Sequence, residues 1–284
     1  IDLLLSLNNS NKDSSFIFKN LDISFYESLA SLPNTDFVIH QAALGSVPRS
    51  IKKPLDSHNN NVNGFLNIIL HAVKIKAKAF VYASSSSVYG NNLKLPKMEG
   101  FEGAALSPYA ATKSINEVYA EAFSLSYGLK TIGLRYFNVF GPRQDPSGEY
   151  AAVIPRWIKL ISANKPIEVF GDGSTTRDFC YIENAVQANL LSAFSKDSNG
   201  ASNVLNIACG SKTSLNKLAC LIEERIKVYK PNIKLKKVLK DFRKGDIKDS
   251  LADIRKAQNE IGYIPSKTFE EGLVDTIDKI YKNS

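Results

Sequence analysis

The sequence predicts an α/β fold: a doubly wound parallel sheet followed by a smaller C-terminal lobe. Three observations carry this expectation. Short apolar runs alternate with amphipathic stretches through the first half of the chain, the pattern of a parallel sheet with helices on both faces. The runs are nearly continuous in apolar residues, as strands covered on both sides must be. After Gly141 the loops lengthen, and Gly/Pro/Asp/Ser clusters appear at 141–148 (GPRQDPSG) and 171–178 (GDGSTTRD), where a second lobe begins. The division is therefore 1–140 for the sheet domain, with about 180–200 returning to it, and 141–284 mainly for the lobe.

Taken in order, 15–19 (SFIFK) reads as a first strand, 36–40 (DFVIH) as a second, 79–83 (AFVYA) as a third and 131–136 (TIGLRY) as a fourth. Helical patterns lie between them near 57–75 and 109–126. Right-handed crossovers between parallel strands wind such a sheet in both directions. A dinucleotide-binding sheet opens with a strand, a Gly-rich turn and a helix N-terminus that receives the pyrophosphate. No such motif stands near Ile1, and the first glycine is Gly45. Either the ligand is no dinucleotide or the chain has been clipped ahead of Ile1; the motifs below favour clipping.

Composition narrows the class. At 284 residues, 44% hydrophobic and 23% charged, the chain suits one large folded domain or two lobes. It holds no apolar run of about 18 residues, so no membrane span is expected, and its start lacks the basic flank of a secretory signal. Cys180, Cys209 and Cys220 are odd in number with no close pair, which argues against a disulfide framework or a metal site and for a reducing cytoplasm. The window 225–256 holds 12 Lys/Arg against 4 Asp/Glu and so accounts for the whole net charge of +8. A solvated lysine-rich surface is the plain reading. Attraction of a phosphorylated small molecule is an alternative. Few aromatics interleave with these lysines, so a nucleic-acid partner is not expected.

Two local patterns carry chemistry. In Tyr109-Ala-Ala-Thr-Lys113 the tyrosine and lysine are four apart and share one helical face. An ammonium near a phenol favours the phenolate, so the pair could give and take a proton near neutral pH. Pro108 suits the first helical position. By itself the spacing is common. The second pattern is Ser84-Ser85-Ser86-Ser87-Val88-Tyr89-Gly90, which follows the apolar run AFVYA. Open α/β sheets bind ligands beyond the carboxyl ends of their strands, and a hydroxyl there can hold a substrate oxygen that alternates between alcohol and ketone.

With HQAALGSVPRS (40–50), SSSSVYG (84–90), SPYAATK (107–113), RYFNVFGPRQ (135–144) and GDGSTTRDFCYIEN (171–184), the chain resembles the extended short-chain dehydrogenase/reductase family. Within it the motifs are most similar to those of bacterial UDP-N-acetylglucosamine 4-epimerases. The likeness runs from about residue 15 to about residue 272. It implies a Rossmann-like NAD-binding domain and a nucleotide-sugar lobe. Tyr109 would be the acid/base and Lys113 its partner and a ligand of the nicotinamide ribose, with Ser85 and Ser86 holding the sugar hydroxyl. Asp22 and Ile23 would meet the adenine end, Ala42 and Ala43 would line the NAD crevice, and Tyr136 would face the nicotinamide. Asn61 would bridge the cofactor region to the neighbouring loop. For the UDP-sugar, the resemblance implies Ser46, Ser86, Asn138 and Gln144 at the sugar, Val153 and Phe170 at the uracil, and Arg177 and Arg243 at the diphosphate, where guanidinium forks match phosphate oxygens. Asp246 would accept from the ribose hydroxyls and Ser250 would leave room for an N-acetyl group.

Members of the family share a first oxidation at sugar C4 and differ afterwards. Dehydration needs a further acid and base in the serine loop, and SSSSVYG has neither Asp nor Glu. A uronate substrate or a decarboxylation would want a cation, for which Arg49 is available. The expected reaction is interconversion of UDP-GlcNAc and UDP-GalNAc, in the service of polysaccharide precursor synthesis. A non-catalytic nucleotide-sugar-binding fragment is the alternative of a different class. Family members pair as homodimers through the helices that match 57–75 and 109–126, whose outer faces would present Phe65, Leu66, Ile69, Val118, Tyr119 and Phe123. The same residues could instead face their own sheet.

Overall fold

The structure is a computed structural model, and it describes residues 16–148, 151–195, 202–242 and 248–282. Ten strands occur among these residues: β1 (Phe37–His40), β2 (Ala79–Ser85), β3 (Thr131–Tyr136), β4 (Val139–Phe140), β5 (Ile167–Phe170), β6 (Thr176–Arg177), β7 (Cys180–Tyr181), β8 (Ser202–Ile207), β9 (Thr213–Ser214) and β10 (Lys237–Lys240). The main sheet is all parallel, in the order β1-β2-β3-β8.

Alternate side chains of the central strands enter two different cores. Phe80 and Tyr82 meet Phe65, Ile69, Ala120 and Phe123 from the helices Gly64–Lys74 and Pro108–Tyr127. Val81, Ile132, Leu134 and Leu205 meet Ala188 and Ala257 from the helices Ile182–Phe194 and Arg255–Ile261. Both faces are thus covered, which is why the strands read as unbroken apolar runs. Gly133 is demanded by this packing. A Cβ there would stand 2.5 Å from the hydroxyl of the fully buried Tyr82. The second lobe has its own core of Trp157, Ile161, Val169, Leu218, Ile222, Phe269 and Leu273, built on the parallel pair β5–β10 and three helices.

Several expectations change. Residues 16–19 form no strand, and Ile17 and Phe18 are exposed. An extended segment becomes a strand only through a ladder, and no described strand lies beside it. The 57–75 pattern is not one helix. It comprises Pro54–His58, a π-helical turn at Asn59–Asn63, and Gly64–Lys74. β8 completes the sheet from within the second half of the chain, and the Arg255–Ile261 helix packs beside it. Phe65, Ile69 and Phe123 do not form an outer face, because they are buried against their own sheet, whereas Val118 remains 67% exposed. No described helix is long and apolar enough to cross a membrane.

Candidate active site at the carboxyl end of the sheet

β2 runs two residues further than expected, into the serine cluster, and ends at Ser85. Ser85 Oγ accepts the amide of Ser87 at 3.2 Å and its hydroxyl at 2.9 Å. This caps the 3-10 turn Ser86–Tyr89, on which Ser86 is half-buried. Nearby, Ser107 caps the Pro108–Tyr127 helix by accepting from the Ala110 amide at 3.1 Å, with Pro108 at the first helical position. Tyr109 therefore lies in the first turn and Lys113 one turn later.

These elements bring the serine, the tyrosine and the lysine together. Lys113 is buried, its Nζ donates to the Ala83 carbonyl at 2.7 Å, and it stands 6.0 Å from the centroid of the Tyr109 ring. Burial pulls the Lys113 ammonium down to about 8, with the negative Glu117 opposing the fall. Burial also raises the Tyr109 phenol, against a hydrogen bond with Ser85 that lowers it. Burial is the dominant influence on the phenol, and the Ser85 hydrogen bond is what opposes it. The arrangement places a phenol, a hydroxyl and an ammonium together at the end of β2.

Asn61 locks the floor of the cleft. From the π-helical turn, its Oδ1 accepts the Leu44 amide at 2.7 Å, and its Nδ2 donates to the Leu44 carbonyl at 3.1 Å and to Thr112 Oγ1 at 3.2 Å. Thr112 in turn donates to the Tyr109 carbonyl at 2.8 Å. Ala42 and Ala43 follow β1 and are exposed. Ser46 adopts a φ of 92° and caps the short helix Val47–Lys52 by accepting from the Arg49 amide at 3.3 Å. Tyr136 sits opposite Ser85 in the ladder. Its hydroxyl accepts from Asn189 at 2.7 Å, and burial pushes it to about 12. Asp22 is exposed, with Oδ1 taken by the amide and hydroxyl of Ser24 in a local turn that holds its carboxyl below the usual range. Ile23 packs over Gly64, where a Cβ would meet its Cδ1 at 2.8 Å.

Asn138, Gln144 and Val153 line one cavity of about 170 Å³ with Phe140, Ala152 and Phe179. Asn138 has a φ of 36° and donates to the Asp178 carbonyl at 3.1 Å. Gln144 Oε1 is buried and accepts no hydrogen bond. Phe170, Arg177 and Ser250 do not line this cavity. Phe170 ends β5 opposite Lys240. Arg177 donates to the carbonyls of Thr176 at 2.8 Å and Lys248 at 3.2 Å. Ser250 is buried, and its amide bonds the Thr176 carbonyl at 3.2 Å. Arg243 and Asp246 lie outside the described residues. A larger cavity of about 790 Å³ shares Gln144 and Phe140 and extends to Glu183 and Lys279, but it reaches neither Tyr109 nor Lys113.

Two buried acids escaped the sequence reading. Asp178 receives the amides of Cys209 at 3.0 Å and Ala252 at 3.2 Å, while burial lifts its carboxyl to about 7. Glu117 binds Ser84 and the guanidinium of Arg135. The signal for Glu117 was available, since it follows Lys113 by four residues on the same helical face. Nothing local marked Asp178, whose partners lie 31 and 74 residues away.

The sequence profile of the NAD dependent epimerase/dehydratase family matches residues 3–208. Among solved structures, the UDP-N-acetylglucosamine 4-epimerase of Methanobrevibacter ruminantium M1, in complex with UDP-N-acetylmuramic acid, is 37% identical with a TM-score of 0.83, over 93% of this chain and 82% of its own. The UDP-glucose 4-epimerase of Thermotoga maritima, with UDP-glucose, is 34% identical with a TM-score of 0.87, over 98% and 87% respectively. The UDP-glucuronic acid 4-epimerase of Bacillus cereus, with UDP-glucuronic acid and NAD, is 28% identical with a TM-score of 0.83, over 99% and 85%.

Proposed function

Since the chain belongs to the NAD dependent epimerase/dehydratase family, we propose that it interconverts the C4 epimers of a UDP-sugar with NAD as cofactor, and that the sugar is N-acetylglucosamine. The observation that carries this reading is the convergence of Tyr109, Lys113 and Ser85 at the carboxyl end of β2. The residues present suit the cofactor. Beyond β1 the exposed Ala42 and Ala43 have no side-chain atom past Cβ, so a flat ring can approach the backbone. When bound there, NAD supplies a hydride acceptor for the sugar C4 and returns the hydride. Lys113 and Tyr109 would hold its ribose.

Tyr109 accepts the proton of the sugar 4-hydroxyl, and the Lys113 ammonium stabilises the phenolate that this requires. Ser85 and Ser86 hold the same hydroxyl in line. No second acid is needed for epimerisation. Glu117, which binds Ser84 of the serine loop, has both oxygens committed to Arg135, so it is not free to assist an elimination. Asn138 and Gln144 offer amide groups beside the cavity they share, and such contacts tolerate either C4 configuration. The small Ser250 would leave space for an N-acetyl group. A uronate substrate is the second reading, supported by the position of Arg49 one turn after Ser46.

The intact gene product offered UDP-GlcNAc, UDP-glucose and UDP-glucuronate separately should yield UDP-GalNAc from the first, with product identity read by NMR. Turnover of UDP-glucuronate alone would reject the N-acetyl assignment. Absence of turnover on all three would reject the epimerase reading itself.

A further inference from the structure

Glu117 lies one helical turn beyond Lys113, and its side chain is 14% exposed. Ser84, the residue before Ser85, donates its hydroxyl to Glu117 Oε1. Arg135 donates from Nε to Oε1 at 2.9 Å and from Nη2 to Oε2 at 2.7 Å. Ser84 and Arg135 are themselves ladder partners in β2 and β3. One carboxylate therefore fastens the ends of two strands to the helix that carries Tyr109 and Lys113. Arg135 is 3% exposed and also donates from Nη1 to Tyr89 Oη at 3.1 Å and to Glu102. Burying such a pair removes both ions from water, so it is a poor device for stability alone.

We propose that Glu117 is a positioning residue for the reaction: it fixes the serine-rich end of β2 against the Tyr109 helix and holds a negative charge behind Lys113. The charges around Lys113 come from every element packed on it. Tyr109 and Glu117 flank it on its own helix, His40 faces it from β1, the Ala83 carbonyl binds it from β2, and Arg135 and Glu102 lie behind Glu117. Of these, Glu117 is the charge that keeps the ammonium protonated against the pull of burial. The proposal rests on the epimerase reading for its kinetic arm only.

The test is Glu117→Gln in the intact protein, with Lys113 followed by Cε-labelled lysine NMR as well as by turnover. Loss of the charge should lower the Lys113 titration by about 1 pH unit. The alkaline limb of the kcat profile should move down by the same amount, with KM little changed. Ser84→Ala should lower kcat several-fold and leave the Lys113 titration where it was. If Glu117→Gln does not fold, Glu117→Asp keeps the charge and shortens the reach, so the titration should hold while kcat falls. A melting temperature that drops with no movement of the Lys113 titration would make Glu117 merely structural and overturn the proposal. Wild-type kcat in Ser84→Ala or Glu117→Asp would overturn its positioning half. The NMR arm reads out even if the substrate assignment fails, so the two failures can be told apart.

Discussion

His40 closes β1 with its imidazole packed on Phe65 and Phe80, at ring-centroid distances of 5.7 and 6.0 Å. Burial and the nearby Lys113 charge push its pKa down from 6.5 to about 4. The folded chain therefore holds this ring neutral while the unfolded chain protonates it. The resulting stability is complete above the unfolded pKa of about 6.5 and is lost as pH falls through about 4. Lowering the pH from about 7 to about 5 should cost about 2 kcal/mol through this residue. Urea titrations of wild type and His40→Phe over that range measure it, and equal slopes against pH would refute the assignment. The Tyr109–Lys113 pairing was legible because four-residue spacing is a property of any helix. The sign of the Tyr109 shift was not, because its burial comes with the packing of this helix on β2 and the π-helical turn, which are distant in sequence. At Asp22 the carboxylate is engaged by Ser24 in a local turn.

At the level of elements, β2 and β3 stand out in the sequence because both their faces are apolar and polar loops bound them. β8 (SNVLNI) does not, since Asn203 and Asn206 interrupt it. Asn206 is nevertheless fully buried, and its amide is satisfied by the carbonyls of Lys97 and Asp253. Only long-range contacts make that strand. The opposite error concerns 16–19, where a strand-like composition meets no ladder. Within the sheet, Gly133 of β3 lies under the Tyr82 hydroxyl of β2. Gly133→Ala should destabilise the protein by about 2 kcal/mol, the usual scale of overpacking. The nearest atom is the hydroxyl itself, which accepts or donates no hydrogen bond. The ring carbons Cζ and Cε2 would stand at 2.6 and 2.9 Å as well, so a Tyr82→Leu background, which removes them with the hydroxyl, should recover part of the loss in a double-mutant cycle. Strict additivity of the two changes would refute the clash.

For the whole molecule, Asp178 does what no local pattern announced. Its carboxylate gathers the amides of the segment after β8 and of Ala252 beneath the β6–β7 turn. Asn138 is held to the same turn through the Asp178 carbonyl, so the cavity that Asn138 lines and the sheet share one anchor. The loop clusters after Gly141 stand out in the sequence, but the pairing of β8 with β3 and the packing of the Arg255–Ile261 helix against it do not, because neither carries a motif.

β10 pairs with β5 on one side, and all four of its residues are exposed, Val238 and Leu239 lying between Lys237 and Lys240. A second copy approaching that flank edge-to-edge would bring lysine against lysine at a strand spacing of about 4.8 Å. The repulsion reaches about 10 Å in 0.1 M salt and only about 3 Å in 1 M. Raising ionic strength should therefore promote self-association of this protein, and light scattering that falls with added salt would contradict that guard. The clustered lysines would then be read as guarding the flank of β10 that meets no other strand among the described residues.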